Sequence, residues 1–173
     1  VSEEQSVVTG KDWPEFISLF NKVLDSMPED LHVKIKRKYV PFLQEEPSLD
    51  ANARLEFSAE EKAFLTKNQR IIVSNEREWY PYDFNENGEA RGYSVDYIRL
   101  LAQKIGLHVE FMSDTWPNLF EQFKNKKIDI IQPIIPTDER RNLFLFSDKF
   151  ITMELVLIAQ SKRVDIKSLK DLS

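Results

Sequence analysis

The sequence contains no cysteine, which excludes thiol nucleophiles, cysteine-ligated zinc and internal disulfides together. Such a chain suits an oxidising compartment without requiring one. Its two histidines, His32 and His108, lie far apart and match no HExxH or other paired-ligand spacing, so no histidine metal centre is expected. Glycine is scarce: Gly10, Gly88, Gly92 and Gly106 are the whole complement, and none of them builds a GxGxxG turn, a phosphate-cradling loop or a GxSxG elbow. Nucleotide binding and triad hydrolysis therefore lose their usual sequence support. No apolar run nears the roughly 20 residues of a membrane span, and the first residues lack a basic-then-apolar secretion pattern. The expectation is a soluble piece of a longer chain.

Against these absences stand 42% hydrophobic and 12% aromatic residues among 173, with 24 Lys and Arg against 29 Asp and Glu for a net charge of −5. This is a folded, mildly acidic composition, not a disordered one. The length allows one ordinary domain, or one lobe plus an appendage, burying roughly 70% of its unfolded surface.

Residues 12–43 read as two helices. Asp12 caps the first, Pro14 and Glu15 occupy its first turn, and Phe16, Ile17, Leu19, Phe20, Val23 and Leu24 recur at helical spacing. Pro28 starts the second, where Leu31, Ile35 and Tyr39 alternate with Lys34, Lys36, Arg37 and Lys38. That basic face suits either nucleic acid or solvent; the net charge and the lack of an aromatic platform favour solvent, so nucleic acid is not an expected partner. Residues 44–57 are polar, contain Pro47 and show no period, which predicts a linker. Ser58 with Glu61 forms a capping box that opens a short helix.

From Arg70 onward strands alternate with helices: a strand over 71–73, a helix over 93–105 ended by Gly106, a strand over 108–112, a helix over 116–123 and a strand over 128–131. A βαβαβ order of this kind predicts a parallel sheet over 70–132, covered on both faces, with a separate helical hairpin over 12–43. Ligands of such sheets bind beyond the carboxyl ends of the strands, so function is expected in the segments 75–92, 113–116 and 132–140. The apolar run 151–159 reads as a strand leaving the lobe, part of its edge unpaired and open to self-association.

The first of these segments gathers Trp79, Tyr80, Tyr82 and Phe84, which either pack a long loop onto the sheet or wall a small-molecule pocket. In the third, Pro133 and Pro136 interrupt the chain after a strand ending at Gln132, and Thr137 caps a short helix that places Arg140 at its third position. A guanidinium there either forms an anion site or pairs on the surface with Asp138, Glu139 or Asp148.

The chain resembles the bacterial extracellular solute-binding proteins of family 3. The resemblance rests on the run from Trp79 to Phe84, on Gly88, on Gly92 to Tyr97 and on Trp116 to Phe120. It continues through Lys127 to Asp129, Thr137 with Arg140, Phe146 to Asp148 and Ile166 to Leu172, in matching order and spacing over residues 65–173. It is most similar to the Venus-flytrap sensor domains in the periplasmic part of sensor histidine kinases and diguanylate cyclases. Residues 12–43 resemble, more weakly, the last two helices of a preceding flytrap domain in a tandem arrangement.

The resemblance implies an α/β fold, a periplasmic-binding-protein-like lobe with a parallel-type sheet and flanking helices, preceded by the helical hairpin. Its divisions are 1–43 for the hairpin, 44–57 for the linker, 58–160 for lobe 1 and 161–173 for the start of a truncated lobe 2. By the same resemblance Arg140 binds the carboxylate of an amino-acid-like ligand, Thr137 assists through its hydroxyl or N–H, and Trp79, Tyr80 or Tyr82 covers the ligand side chain, with Gln132 and Trp116 completing the site. Gln132, Pro133 and Ile134 stand where transport receptors usually contact the ligand's amino group. Asp96 and Asp129 match family positions and read as structural.

The implied function is a periplasmic ligand sensor, part of a protein anchored in the inner membrane, relaying lobe closure to a cytoplasmic output domain, with pairing of two chains left open. The alternative is the binding protein of an amino-acid ABC transporter. No metal and no cofactor are implied. Catalysis is not expected either, since nothing in the sequence pairs Asp83, Asp114 or Glu139 or places them in an apolar pocket that would raise a pKa.

Overall fold

The computed structural model describes residues 2–39 and 55–154. Its elements in chain order begin with β1 (Ser2–Gly10), α1 (Pro14–Ser26), α2 (Glu29–Tyr39), α3 (Ala59–Lys67) and β2 (Arg70–Glu76). A small antiparallel sheet follows, of β3 (Glu78–Trp79), β4 (Asp83–Glu86) and β5 (Glu89–Arg91). Then come α4 (Tyr93–Ile105), β6 (His108–Asp114), α5 (Trp116–Lys124), β7 (Ile130–Ile134), α6 (Asp138–Leu143), β8 (Phe144–Phe146) and β9 (Ile151–Glu154).

The main sheet runs β6-β2-β7-β1-β8, with β9 also paired to β1. β2 is parallel to β6 from Arg70↔His108 to Glu76↔Asp114, and parallel to β7 at Val73↔Ile130. Period-two alternation sorts the side chains onto two faces. Val7, Ile71, Val73 and Ile130 join one core with Phe16, Leu19 and Phe20 of α1 and Tyr97 and Leu101 of α4. Val8 and Ile131, the next residues along their strands, join the other with Leu119 and Phe123 of α5. Each such fully buried apolar side chain contributes about 1.5–3 kcal/mol.

The fold is α/β with helices on both faces, as expected, but the sheet is mixed and not purely parallel. β1 enters it antiparallel to β7, β8 and β9. The sequence pattern predicts no element over residues 2–10, because the polar run Glu3, Glu4, Gln5, Ser6 hides the strand signal of Val7, Val8 and Thr9. Of the hairpin expected over 12–43, the described residues 12–39 do form two helices, yet they are not separate: Phe16, Leu19, Phe20 and Val23 share one core with Ile71, Tyr97 and Phe150. An apolar helical stripe of that width needs a partner, and the sheet face supplies it.

Two strand expectations change as well. β7 does not stop at Gln132 but continues through Pro133 to Ile134. Its partner register shifts from Val8↔Ile131 to Ser6↔Ile134, a bulge that accommodates a residue without an N–H. The edge expected to be unpaired at 151–159 is paired as far as Glu154, where Ser2 to Gln5 of β1 cover Glu154 to Ile151. The remainder of that run, most of the 44–57 linker and the start of lobe 2 lie outside the described residues.

Local signals held well in α3 and α4. Ser58 Oγ accepts from the Glu61 N–H at 3.2 Å while the Glu61 carboxylate accepts from the Ser58 N–H at 2.7 Å. Gly106 ends α4 in the left-handed region at φ 76°.

Candidate functional site

A cleft of about 400 Å³ opens beyond the carboxyl ends of the parallel strands. Glu76 closes β2 and Glu78 and Trp79 form β3, so the chain leaving the first parallel strand supplies one wall. Trp116, in the first turn of α5 just after β6, supplies another. Pro133 and Ile134 at the end of β7, with Ile135 and Arg140, complete the third, and Gln5 enters from β1.

Arg140 is held in this cleft without an ion pair among the described residues. Its Nη1 donates to the Ile135 carbonyl oxygen at 2.8 Å, and its guanidinium lies 5.9 Å from the Trp116 ring centre and 5.8 Å from that of Phe120. Those two rings stack on each other at 5.9 Å. Cation–π contact and a carbonyl acceptor fix the guanidinium while leaving donors for an anion. The alternative of surface pairing with Asp138, Glu139 or Asp148 is not what forms.

Thr137 caps α6, its hydroxyl accepting from the Arg140 N–H at 3.3 Å, and is itself exposed. It positions the turn that carries Arg140. Trp79, Trp116 and Arg140 thus meet at one cleft.

Three of the anticipated residues sit elsewhere. Tyr80 is 59% exposed, stacks on Phe84 at 4.0 Å and lines a different cavity with Arg77, Asn85 and Ser113. Tyr82 packs against the main core and borders a cavity with His32, Tyr93 and Phe150. Trp79 ends β3 whereas Tyr80 and Tyr82 lie in the turn before β4, where strand alternation does not apply, and the aromatic run is divided among three places. Gln132 is buried in the sheet, its N–H donating to Ser74 Oγ at 3.1 Å and its Nε2 to the Ser74 carbonyl at 3.3 Å. It ties β7 to β2.

Glu76, Glu78 and Gln5 are cleft residues that sequence reasoning missed. For the two carboxylates the available signal was their place in the segment 75–92 beside the aromatic run, whereas Gln5, in β1, carried none. Burial, reinforced by the negative charge of Glu78, raises the Glu76 carboxyl above its ordinary range.

The other carboxylates serve the scaffold. Asp83 is buried away from the cleft, accepting from Asn75 Nδ2 at 2.6 Å and the Glu76 N–H at 2.9 Å. Burial pushes its carboxyl well upward, contrary to the expectation that no apolar surroundings would do so. Asp129 accepts from the Ile72 N–H at 2.8 Å, and burial raises it too. Asp114 is held low by hydrogen bonds from the Thr115 N–H and Asn118.

The profile of the bacterial extracellular solute-binding proteins, family 3, matches residues 71–166, more than half of the chain. The chain belongs to this family. The match spans β2 to β9, the elements that build most of the cleft. Among curated members, the L-cystine-binding protein TcyA of Bacillus subtilis is 27% identical over 111 residues, 63% of this chain and 41% of that protein. A probable amino-acid ABC transporter-binding protein of Haemophilus influenzae is 30% identical over 110 residues, 62% of this chain and 43% of that protein. This family-3 chain thus spans about two fifths of the length of these relatives. The L-cystine solute receptor of Neisseria gonorrhoeae, solved unliganded and open, aligns with a TM-score of 0.42 at 23% identity, over 49% of this chain and 37% of that one.

Proposed function

We propose that this family-3 chain is the ligand-binding module of a periplasmic receptor for an amino-acid-like solute, and that the cleft around Arg140 is its binding site. The observation that carries the reading is the Arg140 guanidinium, fixed by Ile135, Trp116 and Phe120 without a carboxylate partner among the described residues, in a cleft that also contains Glu76 and Glu78. One positive and two acidic groups in a single cleft match a zwitterion, whose carboxylate takes the guanidinium fork and whose ammonium meets the acids. Trp79 and Trp116 flank the ligand, and Thr137 holds the Arg140 turn.

In this reading the receptor is a sensor. Closure over the ligand is favoured by differential contacts and is relayed through a membrane-anchored parent to an output domain. β1, α1 and α2, which lie ahead of the family match, share the sheet and core of this lobe, so in this proposal residues 2–39 belong to the same module as the cleft. The second reading, a transport receptor, is favoured by the relative from Haemophilus influenzae.

Calorimetric titration with the protein L-amino acids tests the site. Arg140→Lys is expected to be nearly as harmful as Arg140→Ala, because an ammonium lacks the planar fork, with a loss of about 2–5 kcal/mol of binding. Binding at parental strength by both variants would sink the assignment. Deleting the gene separates the two roles: lost uptake of the labelled ligand means transport, whereas intact uptake with an altered transcriptional response means sensing.

A further inference from the structure

Gln5 is fully buried in the middle of a mixed sheet, and neither polar atom of its amide has a hydrogen-bond partner among the described residues. Both the Nε2 donor and the Oε1 acceptor are affected. A buried polar group in that condition destabilises a fold, and native proteins rarely retain one without a reason. The backbone around it is fully used: its carbonyl accepts from the Phe150 N–H at 3.1 Å, and Gln5 pairs with Ile151 in the β1–β9 ladder. Val7 and Val8, a few residues on, show what the same strand places in the core when packing alone decides. Gln5 differs from them in lining the Arg140 cleft.

We propose that Gln5 is a specificity residue of the cleft, its amide donating one hydrogen bond to, and accepting one from, the same small ligand. The inference rests on the reading of the Arg140 cleft as the binding site and deepens it. A ligand that satisfies both atoms carries an acceptor and a donor inside one cleft, alongside the charge complementarity of Arg140 and Glu76. Amino acids meet this condition; plain carboxylates meet half of it. The residue comes from β1, outside the stretch that matches the family profile, so this part of the site belongs to the particular N-terminal segment of this chain.

The test uses the 173-residue chain with Gln5→Met, which keeps length and burial while removing both polar atoms, and Gln5→Glu, which keeps the shape and exchanges the donor for an acceptor. Each is titrated with the twenty protein L-amino acids and melted without ligand, beside Arg140→Ala. The expected result is a loss of tenfold or more in affinity for the best amino acid in Gln5→Met and a larger one in Gln5→Glu. The unliganded melting temperature of Gln5→Met should equal or exceed that of the parent, because an unpaired amide has been removed. Parental affinity in both Gln5 variants while Arg140→Ala loses binding overturns the role of Gln5 and leaves the site standing. A lower unliganded melting temperature in Gln5→Met shows Gln5 to be structural and overturns the inference. Absence of binding by the parent to every amino acid overturns both readings.

Discussion

The hydroxyl of Tyr39, at the end of α2, donates to Asp96 Oδ2 in the first turn of α4 at 2.8 Å and accepts from the Gly92 N–H at 3.3 Å. Lys38 reaches the same carboxylate oxygen at 2.6 Å. These contacts fasten the N-terminal helix pair to the helix behind the cleft loop. Tyr39→Phe is therefore expected to lower stability by about 1–3 kcal/mol, since the lost bond is to a charged acceptor. Chemical denaturation checks it; an unchanged midpoint would show that α2 is held by its apolar face alone.

Glu61 makes a second fastening. It is buried and accepts from Ser18 at 2.6 Å, Lys22 at 2.7 Å and its own cap residue Ser58 at 2.7 Å, joining α3 to α1. Burial works against its charge, but these bonds together outweigh burial and hold the carboxyl below its ordinary 4.5. A depressed folded-state pKa contributes stability that is present above 4.5 and is lost as pH falls through the folded value. Asp83, raised by burial, works in the opposite sense, so its contribution falls as pH rises above 3.8. The parent should exceed Glu61→Gln in stability at pH 7, by about 1 kcal/mol, with the difference closing as pH falls from 4.5 through the depressed folded value. Melting curves at pH 3 to 7 decide; a constant difference would refute the linkage.

Gly92 sits at φ 125°, and a Cβ built there would lie 2.3 Å from the Tyr82 carbonyl oxygen. That oxygen accepts from both the N–H and the hydroxyl of Ser94, at 2.9 and 2.7 Å. Gly92→Ala should cost about 1–3 kcal/mol from backbone strain alone, with displacement of the cleft loop in addition. Thermal melting with tryptophan fluorescence reports both effects, and a parental melting curve would contradict the close approach.

The raised carboxyl of Glu76 bears on the proposed ligand. If its carboxylate meets a ligand ammonium, affinity falls as pH drops through its elevated pKa, because protonation removes the negative charge. Glu76→Gln should weaken binding at pH 7 and flatten that dependence. Calorimetry between pH 4 and 8 reads it, and a variant with the parent's pH profile would remove Glu76 from the site.

The bounds of α4 and the capping box of α3 were legible because they depend on neighbours within one turn: the apolar period ending at Gly106, and the Ser58–Glu61 pair. Arg140 at the third position of α6 was legible for the same reason. β1 was not, since a strand flanked on both sides takes its pattern from partners such as Ile131, Ile134 and Phe146, distant in sequence. The aromatic run showed the same limit, with composition pointing to a binding loop while the β3–β4 hairpin sent Trp79, Tyr80 and Tyr82 to different cavities.

Local sequence by itself determined the helices, the Ser58 and Thr137 caps though not the expected Asp12 cap, which gives way to Trp13, the alternation that builds a two-faced sheet, and a family membership carried by short motifs from β2 onward. Only tertiary structure decided that residues 2–39 complete that sheet and its core, and that Gln5, Glu76 and Arg140 share one cleft. The reason is one of range: hydrogen bonds and side-chain periods act over a few residues. Burial and the convergence of charges depend on which distant strands the chain brings side by side.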